Sequence, residues 1–195
     1  MKVKKLSLSV ICVSILILLI GCSGSSVYVS PGETTQMDDK FSDTDMKMMA
    51  ESMYNSIINN LGSVGQKKVI ALILVSNKTS EHIDTRSIAD KLQIQLLKSG
   101  TLRFVDRSKI DEMTSQFDLA GSGIMDPNTV KSAGKVIGAD YFLSGSLSSI
   151  EKRSRTKSLT YYRLSMHLID TETNEIVWAD EFEIKKKFSK GIMDW

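Results

Sequence analysis

Three lysines in the first five residues, Lys2, Lys4 and Lys5, precede an apolar run from Leu6 to Ile20 that is broken only by Ser7, Ser9, Cys12 and Ser14. Polar residues follow to about position 42, with Gly24, Pro31 and Gly32 among them and acids at Asp38, Asp39, Asp43 and Asp45. From Asp43 the pattern changes. Met46, Met49, Ala50, Met53, Ile57 and Leu61 recur at spacings of three and four, which predicts a helix with one apolar stripe, capped by Asp43 or Thr44 and ended by Gly62. Residues 67–75 hold the run VIALILV, whose β-branched residues lack alternation and suit a central strand covered on both faces. A polar loop over 76–84 leads to a second helical stripe at Ile88, Ala89, Leu92 and Leu96, ending at Gly100. Leu102 to Val105 is a short strand, and a right-handed crossover makes it parallel to the first.

Asp106 caps a third predicted helix with Ile110, Met113 and Phe117 on one face, and residues 118–126 form a Gly-containing loop. Asp126 followed by Pro127 is a cap with proline at the first helical position, and Val130, Ala133, Val136 and Ile137 make the stripe before Gly138. Three strands then follow, over 141–150, 161–170 and 176–184, as an antiparallel meander. In the middle strand Tyr162, Leu164, Met166 and Leu168 alternate with Tyr161, Arg163, Ser165 and His167, so one face meets helices and the other meets water or a partner. Asn174 stands in the last turn where a positive φ is expected. The sum is an α+β fold, a mixed α/β sandwich in which about four helices pack on a small mixed sheet of about five strands.

Composition adds compartment and charge. The 42% hydrophobic content excludes general disorder, and only 2 Pro and 12 Gly exclude a low-complexity chain. Positive n-region and apolar h-region make residues 1–21 a signal peptide, and Leu19, Ile20, Gly21 and Cys22 have the order of a bacterial lipobox. Cleavage between Gly21 and Cys22 would leave Cys22 carrying a thioether-linked lipid, with residues 22–42 as an acidic tether and 43–195 as the globular domain. Each acyl CH₂ contributes about 0.8 kcal/mol, so several chains anchor where one only visits. Ser23 after the cysteine fits sorting to the outer membrane.

Removal of Lys2, Lys4 and Lys5 from the 25 basic residues leaves 22 against 23 acidic, so composition gives no basis for binding nucleic acid. With Cys12 lost and Cys22 acylated, the domain holds no thiol for a disulfide, a zinc site or a nucleophile. His82 and His167 lie in no metal-ligand motif, and no GxSxG, GxxxxGK[ST] or GxGxxG sequence occurs. No catalytic residue, metal or cofactor is therefore expected beyond the lipid. The remaining feature is basic charge: Lys152, Arg153, Arg155 and Lys157 between two strands, and Lys185, Lys186, Lys187 and Lys190 near the end. These offer cations to an acidic protein surface or an anionic envelope polymer, or serve as solvated charge on a hairpin tip and a sheet edge.

Five segments in order, VSPGETTQMDDKFSDTD, SNKTSEHIDT, LLKSGTLRFVDR, GADYFLSGSL and LIDTETNEIVW, resemble the LpoB family of lipoprotein activators of penicillin-binding proteins. The last two segments also resemble the wider group of TolB N-terminal-like and CsgG-like domains. The resemblance implies a small mixed sheet with helices against it. It further implies a non-enzymatic lipoprotein on the periplasmic face of the outer membrane, a monomer that docks on a bifunctional peptidoglycan synthase and raises its activity. The loop residues Asn77, Lys78, Thr79, Glu81 and His82 and the basic hairpin Lys152, Arg153, Arg155 and Lys157 are its candidate contacts. The alternative is a structural or secretion-associated envelope lipoprotein of the CsgG-like type.

Overall fold

The computed structural model describes residues 28–30, 33, 38–61, 68–117 and 127–189, apart from the side chains of Met113, Thr114, Gln116, Phe117 and Pro127. The signal segment, Gly21 and Cys22, the expected stop at Gly62, the 118–126 loop with the Asp126 cap, and Lys190 lie outside the described residues. The chain divides into two compact units, Met1–Glu33 and Thr34–Trp195. In the first, Tyr28 and Val29 are exposed and Glu33 N donates to Ser30 O at 2.9 Å. All that follows concerns the second.

Its elements are α1 (Asp43–Leu61), β1 (Lys68–Lys78), α2 (Thr85–Lys98), β2 (Leu102–Phe104), α3 (Arg107–Phe117), α4 (Pro127–Ile137), β3 (Tyr141–Arg153), β4 (Lys157–Asp170) and β5 (Ile176–Ser189). The strands form one mixed sheet in the order β2-β1-β3-β4-β5. β1 runs parallel to both β2 and β3, and the β3, β4 and β5 pairs are antiparallel. This is the expected α+β architecture. β1 is interior, as its apolar run requires, although β3 takes the middle place.

Each face of the sheet has its own core. Met49, Met53 and Ile57 of α1 and Ile88, Leu92 and Leu96 of α2 pack on Leu72, Leu143, Leu147, Leu164 and Leu168. On the other face Ile110 of α3 and Val130 and Ala133 of α4 pack on Ala71, Ile73 and Phe142. Full burial of each such side chain is worth about 1.5–3 kcal/mol, so these stripes and not helix propensity hold the helices in place. The second core reaches β1, early β3 and, through Ile169, the end of β4. Beyond it the face carrying Ser144, Ser146, Ser148, Arg163, Ser165, Glu181 and Glu183 is uncovered by either helix core. The alternation read in β4 has this consequence: Tyr162, Leu164, Met166 and Leu168 are buried, and Arg163 is exposed.

Local details differ from the sequence reading in four places. β3 runs on to Arg153 and β4 starts at Lys157, so Lys152, Arg153 and Lys157 sit on paired strands and not in the longer connection expected between 150 and 161. The α1 cap is Ser42, one residue earlier than expected, because Ser42 N donates to Asp45 Oδ2 at 2.8 Å while Asp45 N donates to Ser42 Oγ at 3.3 Å. That reciprocal pair is a capping box with Asp in place of Glu. β1 extends to Lys78, and a register shift between Leu72 and Val75 turns Leu74 outward to 45% exposure, so coverage on both faces ends there. β5 continues to Ser189, five residues past its expected end, paired throughout with β4. Elsewhere the punctuation agrees: Gly100 and Gly138 follow α2 and α4 with φ of 71° and 66°, and Asn174 has φ 61°.

Candidate partner-binding site

The loop between β1 and α2 is built around one side chain. Asn77 Nδ2 donates to Glu81 O at 2.8 Å and Ile83 O at 3.1 Å, while its Oδ1 accepts from Thr79 N at 2.9 Å and lies 2.8 Å from Thr79 Oγ1. Glu81 N donates in turn to Thr79 Oγ1 at 3.1 Å. Asp84 then caps α2, accepting from Arg86 N at 3.0 Å and Ser87 Oγ at 2.7 Å. The Ser87 bond first, and then the helix N–H groups, hold the Asp84 carboxyl below its ordinary value against a smaller desolvation effect. Asn77 and Thr79 thus spend their polar atoms shaping the loop, and Lys78 and His82 are among its exposed residues.

Glu81 points inward. Its carboxylate accepts from the Tyr162 hydroxyl of β4 and, at 3.3 Å, from Phe41 N. Tyr162 also donates to Asp39 O at 3.3 Å, and its ring meets Phe41 edge-on with centroids 5.5 Å apart. Burial, then the bond to Glu81 and nearby negative charge, push the Tyr162 hydroxyl well above its ordinary value, so it remains a donor. Asp39 is buried and accepts from Thr160 Oγ1 at 2.7 Å. Desolvation pushes its carboxyl up, but hydrogen bonds from Thr160 and Ser158 and the charge of Arg153 together bring it below the ordinary value.

The same stretch is closed by an ion pair. Lys186 Nζ lies 2.8 Å from Asp45 Oδ2, with side-chain exposures of 6% and 1%, and also donates to Lys40 O. Lys186 therefore does not belong to the free basic surface expected of it. The reason is parity: it follows Phe182 and Ile184 on the helix-covered side of β5, opposite Thr160. Residues 38–42, read from sequence as the end of the tether, lie against β4, β5 and the loop through these contacts.

Between that segment and the loop is a groove of about 540 Å³, walled by Lys40, Phe41 and Met46 on one side and Glu81, His82 and Ile83 on the other. The basic hairpin rises beside it. Ser80 Oγ donates to Glu151 Oε1 at 3.0 Å, and Arg153 Nε donates to Glu151 Oε2 at 3.0 Å, so one carboxylate joins loop to hairpin. The tip is closed by Ser154 N donating to Lys157 O at 2.7 Å. Register puts Lys152, Leu159 and Lys187 in one row across three strands, and with Arg153, Lys157 and Lys185 they line a second recess of about 470 Å³. Among the described residues Lys152, Arg155, Lys157, Lys185 and Lys187 form no ion pair.

The structure thus brings both expected contact groups to one end of the sheet. It adds Lys40, Phe41 and Met46, which the sequence reading missed. Their signal was present: Phe41 and Met46 stand at the N′ and N4 positions of a hydrophobic staple flanking the Ser42–Asp45 box. Of the two histidines, His82 is exposed in the groove wall, and His167 is half-buried with Nε2 3.0 Å from Ser144 Oγ, its pKa lowered by desolvation. Among the described residues no group of three or more His, Cys, Asp or Glu could hold a metal ion, and no helix is long and apolar enough to cross a membrane.

Known proteins supply the remaining comparison. A search of curated proteins gave no match. The C-terminal domain of LpoB from Salmonella enterica superposes with a TM-score of 0.55 at 17% identity, covering 73% of this chain and 99% of that one. The corresponding domain from Escherichia coli gives 0.53 at 19% identity with the same coverage. The NMR structure of Escherichia coli LpoB gives 0.51 at 18% identity over 86% of each chain. At these identities the likeness is one of fold. The sequence itself matches the family model described as "Peptidoglycan-synthase activator LpoB" over residues 44–184, most of the chain and every element from α1 to the greater part of β5, and the chain belongs to that family.

Proposed function

We propose that the protein is a lipid-anchored, non-enzymatic activator that binds a bifunctional penicillin-binding protein from the periplasmic face of the outer membrane. The observation that carries this reading is the family match over 44–184, which contains the loop wall of the groove, Glu81 to Ile83, and Met46 of the opposite wall, with Lys40 and Phe41 just ahead of it. The lipobox order at Leu19 to Cys22 supports the anchor, and the covalent lipid on Cys22 is the one modification the reading needs. Activation then requires no chemistry from this chain. The domain prefers one conformation of the synthase over another, and its effect cannot exceed that difference in affinity.

The groove supplies shape, with Phe41, Met46 and Ile83 as apolar contacts and His82 in its wall, Lys78 is exposed at the end of β1, and the hairpin supplies charge through Lys152, Arg153, Arg155 and Lys157. Asn77, Thr79 and Glu81 act by holding the loop in place. The test combines the full chain with each bifunctional synthase of its host in detergent and follows glycan polymerisation and peptide crosslinking. Both rates rise with the true partner; unchanged rates with every synthase reject the reading. Cys22→Ala abolishes incorporation of labelled palmitate, and continued labelling rejects the anchor.

A further inference from the structure

β5 is the outer strand of the sheet, and among the described residues no strand pairs with its far edge. It is 14 residues long, and proteins usually blunt an open edge of that length. Here the charges do something else. Register with β4 places Glu181, Glu183, Lys185 and Lys187 opposite Ser165, Arg163, Tyr161 and Leu159, all on the face that α1 and α2 leave free, and all four are exposed. Two acids come first and two bases last, at alternate positions.

We propose that this edge is a docking surface for a second copy of the same chain, paired antiparallel about a two-fold axis at Ile184. That register sets Glu183 of each copy opposite Lys185 of the other and Glu181 opposite Lys187, giving four cross-strand ion pairs from two residue pairs. Moving the axis by one residue brings Glu183 against Glu183 or Lys185 against Lys185 and leaves two of the four ion pairs, so charge favours the register centred on Ile184. Among the described residues Lys185 and Lys187 form no ion pair within the copy, while Glu181 lies 3.8 Å from Arg163 and Glu183 accepts from the Tyr161 hydroxyl. The second copy therefore adds partners to charges that are half-satisfied. On the helix side of the strand Ile184 meets Ile184, and Phe182 lies beside the stem of Lys186, whose ammonium stays on Asp45. The two sheets of five strands become one sheet through backbone pairing, with the two grooves at opposite ends. This replaces the monomer expected from sequence and stands independently of the synthase reading.

The test uses the full chain in neutral detergent, followed by sedimentation from about 5 to about 500 µM at about 0.05 M salt. Wild type moves from the mass of one chain towards that of two, and about 0.5 M salt weakens the association roughly tenfold. An all-basic variant, Glu181→Lys with Glu183→Lys, and an all-acidic variant, Lys185→Glu with Lys187→Glu, each remain single chains with unchanged circular dichroism. Mixed together they form a heterodimer, and the variant carrying all four reversals pairs with itself again. Carbodiimide links Glu183 to Lys185 between copies labelled with different isotopes. Wild type that stays monomeric throughout, or association that survives in the two reversed variants alone, overturns the proposal.

Discussion

The groove beside α1 and the basic hairpin share one end of the sheet but use their polar groups in opposite ways. Around the groove Asn77, Thr79, Glu81, Tyr162 and Asp45 are bonded within the molecule, so the walls are fixed before anything arrives. At the hairpin Lys152, Arg155 and Lys157 point outward with no counter-charge among the described residues. The contrast separates two contributions to recognition. A pre-formed recess lowers the ordering cost of binding, whereas unpaired surface charge speeds encounter and is screened by salt. Substitutions at the first should therefore act through stability, and substitutions at the second through association rate.

The largest effect is expected at the ion pair behind the groove. Lys186→Met leaves Asp45 charged, 1% exposed and unpaired, and lowers the unfolding free energy by about 3–5 kcal/mol in denaturant titration. Combining it with Asp45→Leu recovers most of that loss; a double variant no more stable than the single one contradicts the pairing. Next comes Tyr162→Phe, which removes the donor to Glu81 and Asp39 and costs about 1–3 kcal/mol by the same measurement. Asn77→Ala costs about 1–2 kcal/mol and speeds amide exchange at Thr79 and Glu81 while core amides stay protected. The smallest stability change belongs to Lys152→Ala with Lys157→Ala, within about 0.5 kcal/mol, although association with the proposed synthase partner slows several-fold and its salt dependence weakens, Arg153 and Arg155 being retained.

Acid sharpens the same contrast. His167 is favoured neutral by burial, so the unfolded chain binds its proton first, and stability falls as pH drops below 6.5 through the lower folded value. Asp39 and Asp84 also have depressed folded values, so their contribution is present above 3.8 and is lost as pH falls through those lower values. Two steps of loss in unfolding free energy are expected, and His167→Gln removes the first alone.

Much of the architecture was legible because periodicity reports burial directly. The stripe at Met49, Met53 and Ile57 and the alternation through Tyr162, Leu164 and Met166 fix which face of α1 and β4 turns inward, whatever the partners. The groove was half legible. Its loop stood out as a polar insertion after an apolar strand, yet Glu81 and Lys186 look like surface charges until the contacts of residues 38–42 are known. Those contacts span long sequence separations and leave no local period. Asp180 is a similar case: polar in an apolar phase of β5, it accepts from the hydroxyl of Ser56 on α1, which itself accepts from Trp178 Nε1 at 3.2 Å.

The clasped segment before α1 has a mechanical consequence. Any pull on the chain ahead of Asp38 enters the globular body through Asp39, Lys40 and Phe41, and so loads Thr160, Lys186 and Glu81 before it reaches the cores. Phe41 and Lys40 are also one bank of the groove. Strain carried along the leader and the shape offered for recognition therefore converge on the same few atoms.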